Sequence, residues 1–360
     1  MRLLVTGGSG FLGRHVLVTA ARRGHSCVAL ARSPAAAAAV ARCGATPLAG
    51  DLDDGRSLTA AFASAGCEAL VNLASLGFGH APAIVAAAVA ARLDRAVFVS
   101  TTAVTTALPA PSKAVRLAAE RDVRSSSLAW TILRPTMIYG APGDRNLSRL
   151  LALLARASRL PRPAGLPLLV PVPGGGARLQ QPVHVADLAG AVLAAAERPQ
   201  AAGSCYDVAG PEPLAFAELL HLSSAAVGCR VRLLPVPLSP VVALTRGYER
   251  LSRRPRIRAE QWERLAENKA FTINAAARDL GYAPRSFAAG IREEAAALGL
   301  APRFRHPSTS DIPAQEPCLA LPRVPSPRPS AGGCRCAAPP GCCSAPMPGR
   351  GISPGGRWSG

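Results

Sequence analysis

The chain has 360 residues, enough for one large or two modest domains with a substantial buried core. Its 41 lysines and arginines against 22 aspartates and glutamates give a formal net charge of +19. This charge is spread along the sequence, and its densest cluster, at residues 253–258, has no interleaved aromatic residues. The composition therefore argues against a dedicated nucleic-acid-binding protein.

The spacing of the cysteines and the length of the apolar runs indicate the cellular compartment in which we expect the protein. Of the 10 cysteines, five are isolated in the first part of the chain, which is typical of buried thiols in a reducing compartment. The C-x-C and C-C spacings of the C-terminal cysteines differ from the paired C-x-x-C pattern of zinc sites, so no metal site is predicted. The chain begins with a strand-like run, and no apolar run is long enough to span a membrane. We expect a cytoplasmic protein without a membrane partner.

A glycine-rich segment near the start of the chain carries the first functional signal. The sequence TGGSGFLG at residues 6–13 follows a strand-like apolar run and precedes residues 11–23, whose apolar spacing predicts a helix. In such a turn, one glycine permits the tight bend, a second lets the backbone approach a pyrophosphate, and a third lets helix and strand pack closely. The N–H groups at the start of the helix then face the phosphates.

This segment predicts a dinucleotide site, although an ordinary tight turn would carry the same glycines. No cation is required at the turn, because main-chain N–H groups and the positive end of the helix dipole attract the phosphates. The cofactor contacts predicted from this segment are Gly7, Ser9, Gly10, Phe11, Leu12, Gly13 and Arg14.

Strands and helices are predicted to alternate through the first half of the chain. The apolar patterns predict strands at residues 1–5, 26–31, 46–49, 69–73 and 96–100, with helices at 11–23, 35–42, 58–65 and 82–92. Parallel strands joined by helices require right-handed crossovers. We therefore predict an α/β fold with a Rossmann-type, doubly wound parallel sheet.

The alternation of predicted strands and helices is less regular in the second half of the chain. It predicts helices at residues 113–123, 146–158, 186–197, 216–227, 241–251 and 259–266, strands at 131–133, 181–185, 204–208 and 230–235, and a loop at 161–176. We assign residues 1–160 to an NAD(P)-binding core and residues 161–304 to the remaining core elements and a smaller substrate or lid region. Residues 305–360 are rich in Pro, Gly, Ser and Cys and are predicted to be disordered.

The end of the second predicted strand bears on the choice of nicotinamide cofactor. An acidic residue there would bind a ribose 2′-hydroxyl and repel a 2′-phosphate, but residues 29–49 contain no Asp or Glu. Arg32, together with Arg14, can pair with a 2′-phosphate through charge-assisted hydrogen bonds. We therefore expect NADP, with NAD as the alternative if both arginines are simply solvated.

Further cofactor contacts are predicted where the third and fourth strands end. Asp51 can accept a hydrogen bond from the adenine amino group, or it can cap a helix or turn. The other predicted contacts are Leu52, beside this aspartate, and Asn72 and Ala74, in a run of small residues that leaves room for the cofactor. These strand ends meet at the carboxyl edge of the sheet, where open α/β folds bind ligands.

Seven motifs together resemble one known family. TGGSGFLG, GDLDD, VNLAS, FVST, SKAVRLAAE, LRPTMIYG and QPVHVADLA occur in the order seen in the NAD-dependent epimerase/dehydratase family, part of the extended and atypical short-chain dehydrogenases/reductases. The resemblance covers roughly residues 1–300. It implies NAD(P) binding in the N-terminal region and a small substrate, often a nucleotide sugar, in the C-terminal region.

The resemblance also implies roles for residues near the reactive end of the cofactor. The hydroxyl residues Ser100, Thr101 and Thr102 end the fifth predicted strand, where the family places its substrate-orienting hydroxyl. Pro135 lies in the loop that passes the nicotinamide in the family. Lys113 matches the family lysine that holds the nicotinamide ribose. The alternatives are turn hydroxyls at a strand end and a solvated lysine in the first turn of a helix.

One departure from the family pattern concerns proton transfer. Active members have a tyrosine four residues before the lysine, and its phenol exchanges a proton with the substrate. In this chain Pro109 occupies that position, and all four tyrosines follow Lys113 in the sequence. A proline cannot transfer a proton, and an ordinary hydroxyl is a poor acid near neutral pH.

Two functions therefore remain open. The first is an NAD(P)-binding protein that acts on or senses a small ligand, such as a nucleotide sugar, without the usual catalytic tyrosine. The second is an active oxidoreductase or epimerase with a non-standard proton donor, for which Lys113, Ser100 and Thr101 are the candidate catalytic residues. His184 and Asp187 are predicted to mark an element boundary, with Asp187 capping or opening the helix at 186–197, and an acid–base pair is the alternative. The oligomeric state is left open.

Overall fold

The computed structural model describes residues 1–108, 111–141, 143–144, 146–161, 166–252, 259, 262 and 267–301. These residues belong to the unit Met1–Phe304, and the second unit, Arg305–Gly360, lies outside the described residues. The predicted disordered tail, most of the predicted helix at 259–266 and Pro109 also fall outside them.

Seven of the described strands form one parallel sheet. The strands are β1 Arg2–Thr6, β2 Ser26–Ala31, β3 Thr46–Ala49, β4 Ala69–Asn72, β5 Arg95–Val99, β6 Ala129–Pro135, β7 Ile138–Tyr139, β8 Leu168–Pro173, β9 Leu179–Gln180, β10 Val183–His184, β11 Ser204–Val208, β12 Leu214–Ala215 and β13 Val231–Val236. The strand order in the main sheet is β11-β6-β5-β4-β1-β2-β3, with every neighbouring pair parallel. The order reverses between β1 and β4, which creates the crevice where doubly wound sheets bind ligands.

Helices cover both faces of this sheet. The described helices are α1 Phe11–Arg22, α2 Pro34–Ala41, α3 Gly55–Ser64, α4 Ala81–Ala90, α5 Pro111–Arg124, α6 Leu147–Ser158, α7 Val185–Glu197, α8 Phe216–Ala226, α9 Leu238–Leu251, α10 Asn274–Leu280 and α11 Phe287–Ala297. One core cluster joins the sheet to α1, α2 and α7, and a second joins it to α3, α4 and α5. Among these helices, none combines the length and apolar character needed to cross a bilayer.

The starts of two sheet-flanking helices follow from capping residues. The Ser33 hydroxyl accepts a hydrogen bond from the Ala36 N–H at 3.2 Å, and Pro34 occupies the first position of α2. Asp54 caps α3 by accepting from the N–H groups of the second and third following residues at 3.0 and 3.2 Å. Such caps satisfy N–H groups that have no partner within the helix, so each helix begins directly after its strand-end loop.

The C-terminal part contributes to the main sheet and also builds a smaller core. Strand β11 pairs with β6, and α7 packs against β5. A third apolar cluster joins α6, α8 and α11 and includes Tyr139 and Phe287. Three two-stranded sheets accompany it, of which β7–β10 and β8–β13 are parallel and β9–β12 is antiparallel.

The predicted Rossmann-type α/β fold is confirmed, whereas several predicted elements beyond β6 are wrong. The predicted loop at 161–176 contains β8, because its apolar residues pair with β13 despite the prolines in both strands. Of the predicted strand at 181–185, only the short strand β10 at Val183–His184 is found, because α7 already begins at Val185. Helices α10 and α11 were not predicted. Non-local pairing and short helices leave a weak periodic signal, which explains these errors.

A pair of buried acids lies in the smaller core. Glu294 on α11 is only 1% exposed, and neither of its carboxyl oxygens has a hydrogen-bond partner among the described residues. Burial and the nearby Asp144 carboxylate raise the pKa of Glu294 to about 8. Asp144 accepts from the N–H groups of Asn146 and Ser148, both at 2.9 Å, at the start of α6. The folded protein therefore holds Glu294 protonated at neutral pH.

We predict that Glu294→Gln removes a pH-dependent loss of stability. The ordinary pKa of a glutamate is 4.5, and that of Glu294 in the folded protein is about 8. Between pH 4.5 and about pH 8, folding therefore takes up a proton at Glu294. The free energy of unfolding of the parent protein should therefore fall as pH rises from about 5 to 8. The Gln variant should melt at a higher temperature than the parent at pH 8 and at a similar temperature at pH 5.

The measurement is thermal unfolding followed by circular dichroism across this pH range. Glu212→Gln, which changes an exposed carboxyl in the loop before β12, should leave the pH dependence of the parent unchanged. Parallel melting profiles for Glu294→Gln and the parent at all pH values would contradict the assignment of a protonated Glu294.

Candidate cofactor and substrate site

The glycine-rich turn between β1 and α1 brings three backbone segments into close contact. Gly7 has a φ of +70°, and a Cβ atom at this position would lie 2.8 Å from the Ala74 nitrogen. A Cβ atom on Gly13 would lie 2.2 Å from the Gly7 carbonyl oxygen and 2.5 Å from that of Gly8. Because these contacts are with backbone atoms, a side chain cannot be accommodated by rotation. The turn requires glycine at both positions.

The start of α1 has the features of an anion-binding site. Gly10 is its N-cap, and no side chain caps the first turn. The Gly10 N–H donates to the Gly7 carbonyl at 3.0 Å, which fixes the bend of the turn. Uncapped N–H groups and the positive end of the helix dipole favour a phosphate at this position.

A cavity of about 550 Å³ opens beside this turn, at the carboxyl ends of β1 to β4. We call it the glycine-turn cavity. Six of the predicted cofactor residues line it, namely Gly7, Ser9, Arg32, Asp51, Leu52 and Ala74. They come from four different strand ends, so the doubly wound topology brings together residues that are up to 67 positions apart in sequence. The cavity has the size typical of a cofactor or ligand pocket.

The other residues predicted around this turn have supporting positions. Asn72 is fully buried, accepts from the Thr6 hydroxyl at 2.5 Å and donates to the Ala74 carbonyl at 3.2 Å, so it shapes the end of β4. Leu12 packs in the core below the turn. Phe11 and Arg14 both approach Gly143, where an added Cβ would lie 2.9 Å from an Arg14 nitrogen.

A second cavity, of about 300 Å³, lies beyond the ends of β5 and β6. Five threonines contribute to its wall, and we call it the threonine cavity: Thr101, Thr102, Thr105, Thr106 and Thr136. Arg116 on α5 and the segment 267–271 complete the polar part of the wall. Hydrogen bonds between residues 267–271 and residues 179–181 hold this segment in place.

Ser100 is tied to a buried carboxylate. Its hydroxyl donates to Glu120 at 2.7 Å, and Glu120 also accepts two hydrogen bonds from the Arg134 guanidinium. Burial alone would raise the pKa of Glu120, but the hydrogen bonds from Arg134 and Ser100 outweigh burial and hold this pKa below its ordinary value. Ser100 therefore points its proton at a carboxylate.

Lys113 belongs to a second network at the edge of the threonine cavity. Its ammonium group donates to the Thr106 carbonyl at 2.5 Å. The Thr106 hydroxyl donates to Glu267 at 2.6 Å, and the Ala107 N–H donates to the same carboxylate at 2.8 Å. Burial would raise the pKa of Glu267, but these two bonds and the charges of Lys269 and Lys113 lower it. Glu267 thus fastens the segment 267–271 to the loop before α5.

The remaining predicted residues near this cavity have local roles. The Thr101 hydroxyl accepts from the Ala103 N–H at 3.2 Å at the start of a short 3-10 helix. The Pro135 carbonyl accepts from the Thr102 hydroxyl at 3.3 Å and so joins the end of β6 to this helix. Of the three candidate catalytic residues, Thr101 lines the cavity.

Comparison with known proteins gives consistent matches. A family profile described as NAD(P)H-binding matches residues 7–151. A 4-hydroxy-2-methyl-3-oxo-4-farnesyl-3,4-dihydroquinoline-1-oxide ketoreductase from Stigmatella aurantiaca is 31% identical over 325 residues, covering 79% of this chain and 92% of that protein. A 2-alkyl-3-oxoalkanoate reductase from Stenotrophomonas maltophilia is 31% identical over 337 residues, covering 81% and 98%.

Solved structures share the fold. A Thermus thermophilus UDP-glucose 4-epimerase in complex with NAD has a TM-score of 0.61 at 21% identity, covering 83% of this chain and 99% of that one. The chain belongs to the NAD-dependent epimerase/dehydratase family. It is an NAD(P)-binding member of this branch of the short-chain dehydrogenases/reductases.

The tyrosines of this epimerase/dehydratase family member lie away from both cavities. All four are described, and none lines the glycine-turn cavity or the threonine cavity. Tyr139, Tyr206 and Tyr282 are buried, and burial raises the pKa of each. Tyr248 is 42% exposed on α9.

His184 and Asp187 mark an element boundary in this family member. The His184 ring accepts from the Ala186 N–H at 3.3 Å and caps α7, and burial lowers its pKa to about 4. Asp187 accepts from both the backbone N–H and the guanidinium of Arg285 at 2.9 to 3.0 Å. The cap is thus the histidine rather than the aspartate, and both side chains have structural partners.

Some wall residues were missed by the sequence analysis. In the glycine-turn cavity these include Ser33, Phe78 and His80, of which Ser33 directly follows the predicted Arg32. In the threonine cavity, Arg116 lies three residues after Lys113 on one helix and so could have been found from helical spacing. Glu267 and Lys269 had no periodic signal. Among the described residues, no group of three or more metal-ligating side chains occurs.

We predict that Gly13→Ala weakens NADPH binding at least about tenfold and lowers the melting temperature. The added methyl group would collide with two backbone carbonyls, so the turn and the start of α1 must move apart. NADPH fluorescence titration and thermal unfolding measure the two effects. Gly55→Ala, at the first position of α3 with nothing within 4 Å of the added Cβ, is the matched control and should change neither. Unchanged NADPH affinity in Gly13→Ala would count against the turn as the phosphate site.

Proposed function

We propose that this protein binds NADP(H) in the glycine-turn cavity and a small ligand in the threonine cavity, and that it lacks the phenol-dependent proton transfer of active family members. In this function the protein senses the ligand or converts it only slowly. The observation that carries the proposal is that the Ser100 and Thr106 hydroxyls both donate hydrogen bonds to carboxylates of the protein.

Reduction of a carbonyl group requires a hydride and a proton, and among the described residues no tyrosine lines the threonine cavity to supply the proton. The Ser100 and Thr106 hydroxyls donate to Glu120 and Glu267, both of which have a pKa below the ordinary value. A hydroxyl bound to a carboxylate that is already ionised cannot be reprotonated through it at neutral pH. Pro109 contributes no proton.

A ketoreductase is the second candidate, and the two reductases that are 31% identical to this chain favour it. In that function, the Lys113 ammonium or the Thr101 hydroxyl would deliver the proton to the substrate oxygen. Both relatives are named for substrates that contain a 3-oxo group, so a 3-oxo compound is the appropriate test substrate.

Turnover separates these two functions. Because a positioned general acid contributes roughly 10² to 10⁴ in rate, we expect kcat below about 0.1 s⁻¹, compared with a typical value of about 10 s⁻¹. NADPH oxidation is followed at 340 nm with a 2-alkyl-3-oxoalkanoate, and epimerisation of UDP-glucose, which consumes no NADPH, is followed by chromatography. Native mass spectrometry identifies any dinucleotide retained during purification. A kcat above about 1 s⁻¹ that Lys113→Ala abolishes would establish the ketoreductase instead.

We predict that Arg32→Ala selectively weakens the binding of NADPH. Arg32 is exposed on the wall of the glycine-turn cavity, beside Ser33, in a position suited to a 2′-phosphate. Loss of one charge-assisted hydrogen bond should raise the NADPH Kd by about tenfold and leave the NADH Kd unchanged. Fluorescence titration with both cofactors measures this, with Arg42→Ala at the exposed end of α2 as the control. An equal loss for NADPH and NADH would argue against a phosphate contact at Arg32.

A further inference from the structure

Phe78 presents an aromatic ring at the glycine-turn cavity. It is 75% exposed, whereas the other phenylalanines among the described residues are buried or half-buried. The residue lines the cavity wall, in the segment that follows β4. Burial of a large aromatic side chain is strongly favourable, so a ring exposed at a cavity is suited to contact with a ligand.

The backbone that carries Phe78 is fixed by packing on both sides. Leu76 is 2% exposed and belongs to the core cluster that joins the sheet to α3, α4 and α5. Ala81, at the first position of α4, is fully buried. The Ser75 hydroxyl accepts from the Gly77 N–H at 3.2 Å and caps the short 3-10 helix that contains Phe78. The ring is therefore held at the cavity by an ordered turn, which reduces the cost of binding.

A contact between two loops lies next to this ring. The Nδ1 atom of His80 is 3.7 Å from the Asp53 carboxylate, and the centroids of the His80 and Phe78 rings are 6.3 Å apart. Asp53 follows β3 and His80 follows β4, and the sheet places β1 and β2 between these two strands. His80 is the N-cap residue of α4 but forms no side-chain cap, so its ring is available for these contacts. The two loops therefore meet at the cavity wall, which all three residues line.

The rest of this wall suits a flat apolar ring. In the proposed function the pyrophosphate lies at the glycine turn and the 2′-phosphate at Arg32. The adenine ring is attached to the same ribose as the 2′-phosphate, so it must occupy the same cavity. Apolar side chains from β2, α2 and the loops after β3 and β4 contribute to the wall there, namely Leu30, Ala35, Ala36, Ala39, Leu52, Ala74 and Phe78.

Asp51 takes part in the turn that precedes α3. Its Oδ1 atom accepts from the Asp53 N–H at 3.2 Å. Recognition of an adenine amino group by Asp51 would therefore depend on its second carboxylate oxygen. A ring face needs no hydrogen bond, and an aromatic side chain stacks on any purine. Stacking is thus the contact with adenine that the wall offers most directly.

We infer that the adenine ring of the cofactor stacks on Phe78, and that this contact contributes more to the affinity than a hydrogen bond from the adenine amino group to Asp51. This inference rests on the proposed function, because it concerns the cofactor in the same glycine-turn cavity. The contact between His80 and Asp53 keeps the loop that carries Phe78 beside the loop after β3. Phe78 is a binding residue that carries no charge, so its contribution is independent of the 2′-phosphate contact at Arg32.

The first test is isothermal titration of the full-length protein with NADP⁺ and with adenosine 2′,5′-bisphosphate, which lacks the nicotinamide. Loss of one stacked aromatic side chain corresponds to about tenfold in affinity. Phe78→Ala should weaken both ligands by about this factor, and Phe78→Leu, which has no flat ring, should also weaken both. Phe78→Tyr keeps the ring and should retain most of the affinity. The melting temperature should be unchanged in all three variants, because the side chain is exposed.

A second titration separates stacking from hydrogen bonding. Nicotinamide hypoxanthine dinucleotide phosphate has a flat purine without the amino group. We expect it to bind the parent protein with most of the affinity of NADP⁺. Because it also stacks, its affinity should fall by about tenfold in Phe78→Ala.

Leu153→Ala is the matched control, because Leu153 is a large apolar residue, 64% exposed on α6, that lines neither cavity. It should change none of these affinities. Unchanged affinity for adenosine 2′,5′-bisphosphate in Phe78→Ala, or full affinity in Phe78→Leu, would overturn the inference. A larger loss on replacing adenine by hypoxanthine than on replacing Phe78 by alanine would show that the amino group dominates, and would also overturn it.

The same titrations separate this inference from the proposed function. If NADP⁺ does not bind to the parent protein, the proposed function fails. If NADP⁺ binds equally to the parent protein and to Phe78→Ala, only the assignment of Phe78 fails.

Discussion

The contact between the first turn of α1 and the carbonyls of Gly7 and Gly8 determines the geometry of the cofactor region. Without a side chain on Gly13, the helix can begin directly above β1 and aim its uncapped N–H groups at the crevice. On the other side, the backbone at Ala74 leaves no space for a side chain on Gly7. The crevice is therefore shaped by the packing of main-chain atoms at Gly7 and Gly13.

Two buried or half-buried carboxylates organise the chemistry at the other end of the sheet. Glu120 fixes Ser100 and Arg134 between α5 and β6, and Glu267 fixes the loop that precedes α5. In each case the carboxylate accepts the hydrogen bond of a hydroxyl that would otherwise be available to a ligand. The Ser100 and Thr106 hydroxyls thus both have structural partners within the protein.

Strand bounds and cofactor residues could be predicted best where short apolar runs coincide with strands of the parallel sheet. The strands β2, β3 and β11 were predicted with the bounds found in the structure, because short runs of strand-forming residues between turn signals mark parallel strands well. Six predicted cofactor residues meet in one cavity because parallel strands all end at one edge. Arg32 and Asp51 could be placed for the same reason, from their positions after β2 and β3.

The threonine cavity could not be assembled from the sequence. Glu267 and Lys269 lie in a segment without helical or strand periodicity, and Glu267 contacts Thr106 across more than 150 residues of chain. Their placement depends on Gln181, whose side chain accepts from the Phe271 N–H and donates to the Gly210 carbonyl. Such side-chain bridges between loops leave no local pattern, so this half of the site emerged only from the three-dimensional structure.

The pairing of β11 with β6 also has a consequence for how the chain folds. Because β11 spans residues 204–208, the edge of β6 stays uncovered during synthesis until the ribosome has released more than 200 residues. An uncovered parallel edge is a template for pairing with another chain. The nascent chain is therefore most prone to aggregate before β11 has been made and has paired with β6.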